Sequence, residues 1–366
     1  MSRYFFYLFL ICMLINTIFF VPRILLEERE GGAIMALAAG TVVGTLLAVV
    51  FTWAIQQFPG EGAAELFSRL MPAWIRIPLL LFFSGMWAIA GAIILIAFSF
   101  ITNRYLSPET GHTLLLLCFC GLSSWAATRR PLTIINVLEV TILVNLPVVL
   151  FIMYKSVSHP LLSLDSVKLY TDYIPQMPSW TALAAATYPF TGYINLAVYN
   201  RLYKELRIRH LWLIPLVGSA ILFVSFFIPI AIMGAESVDD YLYTWIATAD
   251  TIRMELGFIE RVVYLFLFIY IGFSLLFVTV TWNIAILLIR SCFPAWFERS
   301  ERHKTWTSWS IALLIALATG VSGALSNDKA LIGFTKGWLA IRLGAEVLIV
   351  TLVVWAYWRL KHAKAC

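Results

Sequence analysis

Three apolar runs, at 73–101, 211–234 and 262–289, constrain this chain more than anything else in it. Each meets or exceeds the roughly 20 residues a helix needs to cross about 30 Å of hydrocarbon. A segment in lipid must satisfy its backbone polar groups within itself, so these runs are membrane-spanning helices. Composition extends the argument to the whole chain. Of 366 residues, 61% are hydrophobic and only 13% charged, whereas soluble domains carry about 25% charged residues. The apolar windows predict ten spans, near 4–26, 31–57, 73–102, 111–128, 131–154, 180–203, 210–235, 260–290, 306–325 and 337–358. Only the connections 58–72, 155–179 and 236–259 are long. None could fold alone, so 1–366 reads as a single transmembrane domain.

The net charge of +6 points to no nucleic-acid partner, because that requires basic residues gathered on one soluble face. Here they lie in short loops between spans. The side holding both termini, with Arg129, Arg130, Arg201, Lys204, Arg207 and Arg209, carries roughly twice the Lys and Arg of the side holding Arg23, Arg29, Arg104 and Lys155. By the positive-inside rule both termini are cytoplasmic. The N-terminal apolar run lacks a small-x-small cleavage site and is kept as the first span. The cysteines form no CxxC pair and no cluster with histidine, so neither metal nor disulfide is expected. No cofactor motif and no Ser/His or His/Asp constellation stands at a membrane boundary, and enzymatic activity is not expected.

Two spans look discontinuous. In span 1 the run is interrupted at Asn16 and Thr17 and again at Pro22. In span 6, Pro189 and Gly192 flank Phe190 and Thr191. Proline removes a backbone donor and glycine tolerates unusual dihedrals, so the span 6 pair predicts local unwinding, with a simple kink as the alternative. Breaks five spans apart suit a five-plus-five inverted repeat, 4–154 and 180–358, of the kind that binds solutes at the bilayer midplane.

In these features the sequence resembles the B-subunit family of spore germinant receptors. That family is a branch of the amino acid/polyamine/organocation permease superfamily with the leucine-transporter fold. The likeness runs along nearly the whole chain. It rests on Phe58-Pro59-Gly60 after span 2, Leu106-Ser107-Pro108-Glu109-Thr110 before span 4, Pro189-Phe190-Thr191-Gly192 within span 6, and Ile259-Glu260-Arg261 opening span 8. The chain departs from the family pattern at Asn16-Thr17, where a small residue is usual, and at Asn136, where an arginine is frequent. The resemblance implies an all-α fold with helices 1 and 6 discontinuous, in a bacterial cytoplasmic or spore inner membrane. It implies a subunit that binds a small nutrient, an amino acid, and signals to a large membrane subunit and a lipoprotein. A working amino-acid transporter is the alternative.

The resemblance places the ligand around Asn16, Thr17 and Ile18 of span 1 and Tyr188, Pro189, Phe190, Thr191, Gly192 and Tyr193 of span 6. Trp87 and Gly91 of span 3 and Phe273, Ser274 and Phe277 of span 8 read either as its walls or as ordinary packing. Exposed amides at a half-helix N-terminus suit a carboxylate, and broken-helix carbonyls suit an ammonium group. Glu139 lies about nine residues into span 5, where a carboxylate is costly. It reads either as a proton-coupling site facing the span 1 break or as a carboxylate bonded to Asn136 or Asn145. Arg342 and Glu346, spaced i, i+4, read as a structural ion pair, with direct ligand contact as the alternative. Ser274, Thr279 and Thr281 are expected to bond backbone carbonyls rather than sodium. Gly40 with Gly44, and Gly320 with Gly323, predict close helix contacts. The acidic loop 236–260 is expected to carry a short surface helix near 241–254, or else to be a solvated loop.

Overall fold

The computed structural model describes residues 2–16, 19–203, 208–256, 259–297 and 300–362. Among these the chain runs α1 (Ser2–Asn16), α2 (Phe20–Glu27), α3 (Ala33–Ile55), α4 (Ala63–Leu70), α5 (Ala73–Tyr105), α6 (His112–Ala127), α7 (Pro131–Val157), α8 (Leu164–Lys168) and α9 (Trp180–Thr187). It continues through a 3-10 stretch (Tyr188–Asn195), α10 (Leu196–Tyr199), α11 (Leu213–Met233) and α12 (Thr244–Thr251). A small hairpin, β1 (Arg253–Leu256) with β2 (Ile259–Arg261), then leads into α13 (Val262–Cys292). The last helices are α14 (Pro294–Phe297), α15 (Glu301–Leu325) and α16 (Asp328–His362).

Seven helices (α3, α5, α7, α11, α13, α15 and α16) are long and apolar enough to cross a membrane. Three further apolar segments join the bundle. α1 and α2 are apolar together and bent by 51° across a short break. α6 is apolar but only 16 residues long. The third is the interrupted segment from α9 through α10. Long connections carry the short elements: α4 in 58–72, α8 in 155–179, and α12 with the hairpin in 236–259. α12 is neither the expected surface helix nor a solvated loop. Its residues Thr244 to Ala249 are buried, and it packs on α11, α13 and α2.

Pro22 does not break the first span, contrary to expectation. It stands in the first turn of α2, where a missing N–H removes no intrahelical bond. The discontinuity lies between Asn16 and Phe20. Thr17 and Ile18 are outside the described residues, as are Lys204 to Arg207. In the second broken segment the α-helix tightens to a 3-10 helix at Tyr188 and returns to α at Leu196. The expected unwinding is therefore a change of pitch, with i→i+3 bonds in poorer geometry, over eight residues.

Small residues seat this 3-10 stretch against its neighbours. A Cβ on Gly40 of α3 would stand 2.5 Å from the Ala186 Cβ, and one on Gly44 2.7 Å from the Phe190 Cβ. The expected Gly40–Gly44 contact thus docks α3 onto the second break. Gly192 lies against α1, where a Cβ would meet the Phe9 Cα at 2.5 Å. α15 rests on α6 around Gly323, facing Leu116. α5 and α13 make the central pair, with fully buried Trp282 donating to Ala88 O at 3.2 Å.

The motif turns are held by specific bonds. Asn200 Nδ2 donates to Phe58 O and Glu61 O, both at 2.7 Å, fixing the turn in which Gly60 has φ +79°. Asn103 Nδ2 donates to Ser107 O at 3.3 Å, and the Ser107 and Thr110 hydroxyls lie 2.6 Å apart. At the end of the bundle away from the termini, polar contacts form a collar. Arg23 bonds Glu27 at 3.1 Å and Asp239 O at 2.9 Å, Arg29 pairs with Asp239, and Lys336 pairs with Glu27. Asp328 accepts from Arg104 at 2.8 Å and from the Tyr243 hydroxyl at 2.7 Å.

Candidate ligand-binding site

α1, α5, the 3-10 stretch, α13 and α16 line a cavity of about 70 Å³. Cys12 borders it from α1, and Phe83, Met86, Trp87 and Ala90 from α5. The second break contributes Tyr188, Thr191, Ile194 and Asn195, and α13 contributes Phe277 and Thr281. α16 supplies Trp338, Arg342, Ala345, Glu346 and Ile349. Trp338, Arg342 and Glu346 recur every four residues, so one helix face points all three inward.

The sequence reading meets the cavity at Trp87, Tyr188, Thr191 and Phe277. Asn16 sits beside it, with its Nδ2 donating to Cys12 O at 2.7 Å. Pro189, Phe190, Gly192 and Tyr193 are buried but do not border the cavity. Phe190 fills the gap between Gly44 of α3 and Gly218 of α11. Gly91 also lies off the cavity, because a Cβ there would reach the Trp282 Nε1 at 2.6 Å, and it serves the α5–α13 contact. Phe273 and Ser274 are fully buried on α13 outside the cavity wall. Thr279 and Thr281 donate to carbonyls of their own helix, at 2.7 Å to Leu275 O and 3.0 Å to Phe277 O.

Glu139 is elsewhere. It pairs with Arg3 at 3.2 Å and accepts from the Tyr7 hydroxyl at 3.5 Å. Its partners are therefore the first two turns of α1, not the α1 break and not its own neighbours. Asn136 instead accepts from the Tyr4 hydroxyl at 3.2 Å, and Asn145 donates to Thr141 O at 2.8 Å.

The Arg342–Glu346 pair forms as its spacing predicts, but within the cavity wall and engaged with the second break. Arg342 donates from Nη1 to Glu346, and from Nη2 to Ala184 O at 2.6 Å and Thr187 Oγ1 at 2.7 Å. Those two residues belong to the last turn of α9, whose carbonyls carry the negative end of a helix dipole. Glu346 also accepts from the Tyr193 hydroxyl at 2.6 Å. The Arg342 Cζ lies 5.0 Å from the Tyr188 ring centre, and Trp338 meets the same ring edge-on at 5.4 Å. Such contact of a desolvated guanidinium with an aromatic face is attractive. Across the cavity Trp87 Nε1 donates to Asn195 Oδ1 at 3.0 Å, and Asn195 Nδ2 to Gly192 O at 3.0 Å. Trp338 was missed, although its spacing of four residues from Arg342, itself four from Glu346, within an apolar helix was a signal in the sequence.

Residues 2–322 match the family described as spore germination protein. No curated protein matches the sequence. Among solved structures the chain is similar to MHP1, a nucleobase-cation-symport-1 family transporter, in a closed conformation with bromovinylhydantoin bound. Identity is 16% and the TM-score 0.51, over 95% of this chain and 77% of that one. It is also similar to MhsT in complex with L-phenylalanine, at 14% identity and a TM-score of 0.48, over 94% of this chain and 88% of that one.

Proposed function

The chain belongs to the spore germination protein family, and from that premise we propose that it is a germinant-receptor subunit binding a small nutrient, an amino acid, in the cavity at the helix breaks. It is an integral membrane protein with a transporter-type helical fold. On this reading ten spans form a five-plus-five inverted repeat, both termini face the cytoplasm, and ligand binding is passed to a large membrane subunit and a lipoprotein. One observation carries the proposal. A small cavity lined by a buried ion pair and aromatic rings joins both interrupted helices to α16. Charges in a membrane interior are costly and mark function more often than stability. A ligand that displaces any bond of Arg342 shifts α9 against α16, which gives binding a mechanical output.

Transport through the same cavity is the second reading, supported by the fold shared with a symport-family transporter. Glu139, held near the start of α1, is then the candidate for a coupling proton. Reconstitution of the purified chain in liposomes separates the two. Quenching of tryptophan fluorescence by amino acids, through Trp87 and Trp338, without uptake supports the receptor. Concentrative uptake by the chain alone supports the transporter. An amino-acid panel that changes neither fluorescence nor uptake overturns both.

A further inference from the structure

Among the described cavity-lining residues, two buried polar side-chain atoms have no hydrogen-bond partner: the Trp338 indole Nε1 and the Arg342 Nε. Both residues are only 6% exposed. The remaining polar groups around them are engaged. Trp87 and Asn195 bond each other, Thr191 Oγ1 donates to Tyr188 O at 2.7 Å, Thr281 bonds its own helix, and Glu346 accepts from Tyr193 and Arg342. An unmade bond on a buried donor costs about 1–3 kcal/mol, and such a group calls for a partner. An indole and a guanidinium donate only, so what they call for is an acceptor.

Their placement narrows the acceptor. Trp338 and Arg342 are four residues apart on α16, hence neighbours on one face, about 5–6 Å apart at Cβ. One group with two acceptor oxygens can meet both. The Arg342 charge is already balanced by Glu346, so the argument for a carboxylate rests on its two acceptor oxygens, which a guanidinium N–H and an indole N–H both suit. The cation position at the C-terminal end of α9 is meanwhile filled from within the chain, by the Arg342 bonds to Ala184 O and Thr187 Oγ1. A ligand ammonium group or a metal cation therefore finds those acceptors taken. Size sets the last limit, since a cavity of about 70 Å³ suits a solute of few heavy atoms.

We propose that the ligand is anchored by a carboxylate on Trp338 Nε1 and Arg342 Nε of α16, and that the carboxylate of a short-chain compound, rather than an amino group, is what the cavity reads. This rests on the nutrient-binding reading above and names its anchor. It moves the carboxylate away from the half-helix amides of the first span, where the sequence alone placed it.

The test uses the full chain in lipid nanodiscs with L-alanine as probe, competed by propionate, which keeps only the carboxylate, or by ethylamine, which keeps only the amine. Propionate is expected to displace alanine within about tenfold of its own affinity, and ethylamine not at all. Trp338→Phe removes the indole donor and keeps a ring. It is expected to weaken alanine and propionate about tenfold while the unfolding temperature stays within a few degrees. Arg342→Lys, which keeps the charge and loses Nε, should weaken both further. Displacement by ethylamine with none by propionate overturns the carboxylate anchor and leaves the nutrient-binding reading intact. Unchanged propionate affinity in Trp338→Phe and Arg342→Lys overturns the assignment to α16. Absence of alanine, propionate and ethylamine binding alike overturns the anchor together with the reading beneath it.

Discussion

Two cavities in this molecule are of opposite character. The one at the helix breaks measures about 70 Å³, and the other, between α1, α7, α11 and α13, about 350 Å³. By volume the second is the better site. By chemistry it asks for nothing. Its few polar groups are already bonded: Ser225 Oγ to Leu222 O at 2.9 Å, Tyr270 OH to Leu14 O at 3.2 Å, and Trp245 Nε1 to Ser225 O at 2.8 Å. The small cavity holds a buried ion pair and two donors without acceptors. In a membrane protein, where apolar space between helices is cheap, unmet hydrogen bonds identify a site better than room does.

Substitutions can break that contrast. The largest effect is expected at Arg342→Met, which strands the Glu346 carboxylate in a site where that residue is 1% exposed. Removing one partner of a buried pair costs about 3–5 kcal/mol. Adding Glu346→Leu should restore most of it, and equal unfolding temperatures for Arg342→Met and native protein would refute the pair's role. Gly192→Leu comes next, because any side chain there meets the α1 backbone at Phe9. Forced overpacking of this kind costs about 1–3 kcal/mol, and separation of α1 from the second break should abolish amino-acid binding. Smaller still is a matched pair of additions. Ala345→Leu, in the small cavity, should weaken binding at least about tenfold, or about 1.4 kcal/mol, whereas Ala220→Leu, in the large one, should leave affinity unchanged. Equal effects in titration calorimetry would erase the distinction between the cavities. The smallest effect is expected at Glu139→Gln, which sits at neither cavity and should leave affinity as it is.

Much of the fold was legible because lipid enforces length. Runs of apolar residues had to become α3, α5, α11 and α13, and boundaries moved by only a few residues. The second break was legible because Pro189 and Gly192 act through local backbone chemistry. Pro22 shows the limit of such reasoning, since the same residue type is harmless in the first turn of a helix. The site was half legible. Tyr188 and Thr191 follow from the break, and the Arg342–Glu346 pair follows from i, i+4 spacing. That the pair faces a cavity and grips α9 depends on how α16 is rotated, which an apolar helix of low amphipathicity does not encode. The partners of Glu139 were hidden for a related reason. Its depth along α7 could be counted from the sequence, but its partners Arg3 and Tyr7 come from packing of α1 more than 130 residues away.

The collar at the end of the bundle away from the termini bears on how a solute gets in. There α2 is tied to the acidic connection through Arg23, Arg29 and Asp239, and to α16 through Glu27 and Lys336, while Asp328 gathers α5 and the segment before α12. Charges this near the surface feel dissolved ions within about 8 Å at physiological strength, whereas the ion pair beside the cavity lies too deep to notice them. Salt should therefore change how fast the chamber fills and empties much more than how tightly it holds its guest. A gate and a grip built from the same kind of bond would then answer to different surroundings.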